Sequence, residues 1–352
     1  MRIILVSAFG LTNLNQVRLP YEQNGVVKEL SIDQYLRKCT SFMLFRAGRK
    51  IFSVIPYLMF FYYSAADREY KRNIKCIRDF CEKIINERKQ QLEGPEKDKF
   101  VNNPDLLTIL LSDDMFKNNN KAMIDEIITF FLAGSFTLRS VNSNMFMYLG
   151  MNPDVNQKLM KELIETHLKD FLNDSKPIDT EKVYTFESVE NLKYFVNCFY
   201  ESLRIEPPTV ASGGVYTEDQ TFPSGLKVKK GDLFVINMQS MQNDVNEWFS
   251  PEKFMPERFD SNSPYYKRPD GNKRNPFSFN PFLGGKRICL GKTFAEIVAK
   301  FVVPALLSRF TFELVDQEYI SGVKEKPKVN LDLDEDPIVL IKIKRVNLKK
   351  YM

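Results

Sequence analysis

Apolar residues recur at helical spacing through the first two-thirds of the chain and then lose that period. From Ala65 to Leu92 the residues Ile74, Ile77, Phe80, Ile84 and Ile85 mark one face among dispersed charges, which predicts an amphipathic helix. Asp105 to Leu111 reads as a short apolar helix, and the asparagine run at 118–120 breaks the pattern. A helix from about Lys121 to Leu149 follows, roughly 40 Å long and apolar all round, as expected of one buried on every side. Asn152-Pro153-Asp154 is a start signal for a helix reaching about Phe171. Phe195 to Arg204 is another, stopped by Pro207-Pro208.

Beyond Val215 the runs shorten. Leu226-Lys-Val-Lys and Leu233-Phe-Val-Ile, bounded by Gly225 and Gly231, predict small strands. Residues 243–282 show no period and predict a long ordered coil, a feature that often carries function. A last helix, about Gly291 to Arg309, leads to strand-like Phe310–Leu314 and Pro337–Ile343. With no repeat and no dividing linker, residues 1–352 read as a single, mainly α domain with small β-sheets.

Composition excludes several functions. Fifty basic and 45 acidic residues leave a net charge of +5, too small to suggest a nucleic-acid partner. The five cysteines, Cys39, Cys76, Cys81, Cys198 and Cys289, are odd in number and contain no C-x-x-C pair, so they form no disulfide framework. A Ser-His-Asp triad would depend on the one histidine, His167, which lies in a helical stretch and reads as a surface residue. No signal peptide is evident. The most apolar stretch, Ile51–Tyr63, contains Pro56 and is shorter than the roughly 20 residues a bilayer span needs. It reads as core, or as an interfacial segment.

The chemistry concentrates at Phe282-Leu-Gly-Gly285-Lys-Arg287-Ile-Cys289-Leu-Gly291. A cysteine that ligates a metal must be a thiolate, and a buried thiolate needs nearby N–H donors and a cation. Glycines allow the backbone to approach the sulfur, and the start of the last helix at Gly291 turns its positive end toward it. Arg287 can pair with a carboxylate of a cofactor, and Phe282 can pack on a flat ring. Gly291-Lys292-Thr293 resembles the end of a phosphate loop, but Lys286 stands where that loop requires glycine, so the nucleotide reading is rejected.

The 282–291 segment resembles the haem-binding signature of the cytochrome P-450 family of haem-thiolate monooxygenases. That resemblance implies a cytochrome P-450-like fold, haem b as cofactor and Cys289 as the axial thiolate on iron. Phe282, Gly285, Arg287 and Gly291 would complete the cradle. Glu201-Ser-Leu-Arg204 and Phe254-Met-Pro256-Glu-Arg258-Phe259 are similar to two further family segments, and imply a structural charge network of Glu201, Arg204 and Arg258. Ala133-Gly134-Ser-Phe-Thr137 resembles the segment over the oxygen-binding face. There Gly134 and Thr137 can open the helix locally, and Thr137 would assist proton delivery.

The departures are specific. Phe136 replaces the usual acid, which puts proton delivery in doubt. Gly214 stands where a basic residue is usual and Gln242 where a histidine is frequent, and both departures bear on the haem propionates.

Ile3–Gly10 is similar to a segment well inside the family's length. The resemblance therefore implies an amino-terminally truncated member without the membrane anchor, first sheet and early helices. Such a chain, expressed alone, is expected to hold haem poorly and to aggregate. The family implies an endoplasmic-reticulum membrane, cytosolic face, although this chain shows no signal or anchor. It further implies a small apolar substrate, O2 and an NADPH-dependent reductase, with Lys286, Lys292 and Lys300 as docking cations. A haem-thiolate enzyme that rearranges peroxides and a remnant without haem are the competing expectations.

Overall fold

The computed structural model describes residues 2–11, 17–47, 64–95, 97–172, 178–315 and 341–351; Ile51–Tyr63 and most of Pro337–Ile343 lie outside them. The architecture is mainly helical, and the sheets among the described residues are four antiparallel pairs. Two compact units are present, Met1–Phe136 with Pro327–Ile338, and Thr137–Lys326 with Val339–Met352.

The first unit holds α1 (Arg2–Phe9), the hairpin β1 (Arg18–Gln23) and β2 (Val26–Ser31), α2 (Ile32–Ala47), α3 (Ala65–Glu93), α4 (Lys97–Asn102) and α5 (Leu106–Ser112). The long helix α6 (Asn120–Met151) gives residues to both units. A capping box between Ser64 and Asp67 starts α3, and Ile77, Cys81, Ile84 and Ile85 form its buried face. Arg88 on that face is buried but satisfied, bonding Asp105, Thr108 and the Phe9 carbonyl. The sequence reading missed the hairpin, although Asn24-Gly25, both at positive φ, is the pair that a tight two-residue turn requires.

The second unit continues with α7 (Pro153–Leu163) and α8 (Lys193–Ile205). Strands β3 (Ala211–Val215), β4 (Gln220–Thr221), β5 (Lys227–Val228) and β6 (Leu233–Asn237) follow, with β3 paired to β6 and β4 to β5. The last elements are α9 (Lys292–Leu307), β7 (Phe310–Leu314) and β8 (Ile341–Arg345). The core joins Met145 and Leu149 of α6, Leu159 and Leu163 of α7, Phe195, Phe199 and Leu203 of α8, and Ala299 and Val303 of α9.

Helix boundaries agree with the periodicity except after α7, where a π turn (Ile164–Leu168) and a 3-10 turn (Lys169–Phe171) replace the expected continuation. Asn152 does not cap α7 with its side chain; its amide donates back to the Tyr148 carbonyl. The coil ahead of α9 contains only single 3-10 turns, at Pro256–Phe259, Pro264–Tyr266, Pro276–Ser278 and Gly285–Arg287. Three begin with proline, whose fixed φ suits a first helical position. Among the described residues no helix is long and apolar enough to cross a membrane.

Candidate functional site

The loop around Cys289 is closed by its own backbone. The Cys289 N–H donates to the Phe282 carbonyl at 2.8 Å, and Leu283 N–H to the Asn280 carbonyl at 3.1 Å. Gly285 takes a positive φ of 61°, and Leu283 takes 59°, a conformation that costs a side-chain-bearing residue roughly 1–2 kcal/mol. Strain held in a short loop marks a place where shape matters more than stability. Cys289 is a free, exposed thiol two residues before Gly291, the N-cap of α9. The sulfur therefore stands beside the positive end of a sixteen-residue helix.

The loop offers what a flat apolar dianion would need. Leu290 is 82 % exposed and Ile288 53 %, so the loop carries an apolar rim. Arg287 is exposed, and among the described residues no carboxylate partners it. Phe282 is half-buried against the core of its unit, which fixes the entry to the loop. Among the described residues no three His, Cys, Asp or Glu side chains gather into a metal-holding group.

Beneath the coil the structure brings Glu201, Arg204 and Arg258 together, all without solvent exposure. Arg204 Nε and Nη2 each donate to a Glu201 oxygen at 2.8 Å, and Arg258 Nε donates to Glu201 Oε1 at 3.1 Å. The remaining guanidinium N–H groups hold the coil by its carbonyls: Arg204 takes Gln242 and Pro251, and Arg258 takes Phe249, Ser250 and Lys253. Two fixed donor forks thus organise a segment that has no ladder of its own.

The sequence reading missed a third guanidinium in this region. Arg274 lies 4.3 Å over the buried Trp248 ring and donates to the carbonyls of Arg258 and Tyr266. Burial, and then the neighbouring Arg258 cation, bring its pKa down to about 10. The lone tryptophan was the one available signal for this aromatic box; nothing around Arg274 singles it out.

Other expected residues have different surroundings from those anticipated. Helix α6 runs unbroken through Ala133–Thr137, with no local opening. A Cβ on Gly134 would come 2.4 Å from Ile4 Cδ1, so this glycine serves the close packing of α1; Ala133 is exposed. At Gly214 the Phe234 ring fills the place of a side chain, 3.0 Å from an added Cβ. Gln242 is not placed to meet a propionate. It is fully buried, and its amide is occupied by the backbone carbonyls of Leu203 and Arg204 and by the Asn280 N–H. Lys300 is already engaged within the chain. Its amine is paired to Glu190 at 2.9 Å and its side chain is 15 % exposed, whereas Lys286 is exposed. His167 is half-buried rather than a surface residue, stacked on Tyr184 and bonded to the Ser188 carbonyl, and burial lowers its pKa.

The cytochrome P450 family model matches residues 19–340. The chain belongs to the cytochrome P450 family. It is 30 % identical to Cytochrome P450 4F5 of Rattus norvegicus over 290 residues, which cover 78 % of this chain and 51 % of that protein. It is 29 % identical to Cytochrome P450 86B1 of Arabidopsis thaliana, over 76 % of this chain and 46 % of the other. The match to human Cytochrome P450 4F3 is 27 %, over 73 % and 48 %. The chain thus spans about half the length of the curated relatives it matches. A crystal structure of a cytochrome P450 (CYP102L1) shares the fold, with a TM-score of 0.70 at 19 % identity, over 98 % of this chain and 66 % of that one.

Cytochrome P450 proteins are haem-thiolate oxidoreductases that carry iron in haem b. The residues of the Cys289 loop fit that group. A free thiol at a helix start, an exposed guanidinium that no carboxylate meets among the described residues and an exposed apolar rim match an iron, a carboxylate and a porphyrin face.

Proposed function

We propose that this chain carries the haem-thiolate centre of a monooxygenase that oxidises a small apolar substrate, and that Cys289 is the axial ligand. The observation that carries the reading is the strained, self-bonded Phe282–Cys289 loop, which presents a free thiol at the start of α9. Haem b, when bound, supplies the one-electron and oxygen chemistry.

The chain's own residues then have distinct tasks. Cys289 would hold the iron through its sulfur at the start of α9. With the group bound, Arg287 would pair with one of its carboxylates, and Ile288, Leu290 and Phe282 would exclude water. Gly285 supplies the positive φ of the loop and Gly291 opens α9. The Thr137 hydroxyl holds and passes a proton, a task for which Phe136 offers no acid. Glu201, Arg204 and Arg258 stay structural. Electrons come from an NADPH-dependent reductase, with Lys286 and Lys292 as contacts. Membrane association on the cytosolic face of the endoplasmic reticulum belongs to the same reading.

The test is the reduced carbon-monoxide difference spectrum and the haem content of the chain and its Cys289→Ser variant. A thiolate-type band in the parent that disappears in the variant supports the assignment. An unchanged band in a folded variant removes it.

Phe136 favours one second reading, a peroxide rearrangement that needs no reductase. Turnover of an organic hydroperoxide without NADPH separates the two.

A further inference from the structure

We propose that Gln242 is a positioning residue for the Cys289 loop, acting through Asn280; the proposal rests on Cys289 being the iron ligand. Three segments meet on this one side chain. Nε2 donates to the Leu203 carbonyl at 3.0 Å and the Arg204 carbonyl at 3.1 Å, both in the last turn of α8. Oε1 accepts the Asn280 N–H at 3.2 Å. Its own carbonyl accepts Arg204 Nη1 at 2.9 Å.

Both ends of the amide are used, in opposite senses, and the residue has no solvent exposure. The α8 carbonyls it serves lie where a helix runs out of internal donors. Asn280 then passes the constraint on, because its carbonyl accepts the Leu283 N–H, the strained residue of the loop. Two residues later Phe282 receives the Cys289 N–H. A path of hydrogen bonds and short backbone therefore runs from the end of α8 through Gln242 and Asn280 to the backbone that carries the sulfur. Only a side chain that donates and accepts at once completes it.

The test uses the full chain, without haem and with it. In Gln242→Leu the Asn280 amide is expected to exchange with deuterium about tenfold faster than in the parent, the scale of one lost hydrogen bond. The haem-loaded variant should show less of the thiolate-type carbon-monoxide band at equal haem content.

Gln242→His separates positioning from mere packing. A neutral imidazole has one donor and one acceptor, so the variant should match the parent at pH 8. Parent and variants are compared at that one pH, because amide exchange is itself base-catalysed.

Unchanged exchange in Gln242→Leu overturns the tether. Faster exchange with an unchanged band overturns the positioning role. If the leucine variant does not fold, the histidine variant decides at pH 8: parent-like Asn280 exchange and band support the path, and faster exchange with a weaker band counts against it. A parent that lacks the thiolate band removes the ligand assignment instead, and the exchange of the haem-free chain still reads the tether.

Discussion

Arg204 closes on Glu201 with two parallel 2.8 Å hydrogen bonds, one turn apart on α8 and wholly out of solvent. Such a fork normally sits on a helix surface, where it adds a few tenths of a kcal/mol. Here it is buried, and the carboxylate also receives Arg258 and the Met255 N–H. One anion is therefore shared by two cations and anchors a coil.

Removing the charge of Glu201 while keeping its shape should be severe. Glu201→Gln leaves two buried guanidinium groups without a counter-ion and is expected to lower stability by about 3–5 kcal/mol in urea unfolding. Glu201→Gln combined with Arg258→Met should lose less than Glu201→Gln alone. A loss below about 1 kcal/mol would mean that the coil does not depend on this anion.

A second prediction concerns Gly214. An arginine there meets the Phe234 ring, so Gly214→Arg is expected to cost about 1–3 kcal/mol by overpacking. Adding Phe234→Ala should recover most of that loss and, under the haem-thiolate reading, improve retention of haem during gel filtration. Equal stability of the two variants would show that the ring does not guard this position.

Phe136→Asp tests the proton route. Under the monooxygenase reading, the variant should raise the product formed per NADPH several-fold and lower peroxide release, because a carboxyl beside Thr137 can relay protons that a phenyl ring cannot. An unchanged ratio would indicate that Thr137 is supplied from elsewhere.

Acidification should weaken the second unit through His167. Burial lowers its folded pKa below the unfolded value of about 6.5. The unfolded chain then binds the proton more readily, so the contribution is intact above that value and fades as pH falls through the folded pKa. The pH dependence of unfolding should flatten below about pH 6.5 in His167→Gln. A parent profile that is already flat there would contradict the half-buried setting.

Helices and the chemical loop were legible because they rest on local rules. The periodicity of Ala65–Leu92 gave a helix that ends at Glu93, and Phe282–Gly291 announced itself by spacing. What the sequence hid depends on tertiary neighbours. The backbone-filled surroundings of Gln242, the ring over Gly214 and the pairing of Lys300 with Glu190 have no local signature. His167 looked solvated because its flanks are polar, yet Tyr184 covers it from 17 positions away. The hairpin at Asn24-Gly25 is the exception, a local signal present and overlooked.

Tyr200 on α8 donates to Glu296 on α9 at 2.8 Å. Helix α9 begins beside the sulfur, and a slip of one residue would turn it by about 100°. The spacing from Gly291 to Glu296 is therefore fixed in length. An insertion there would rotate the thiol relative to α8 even if every helix survived. The exposed turns between Asp260 and Asn272 are free of that constraint, so evolution can lengthen or trim them without re-aiming the Cys289 sulfur.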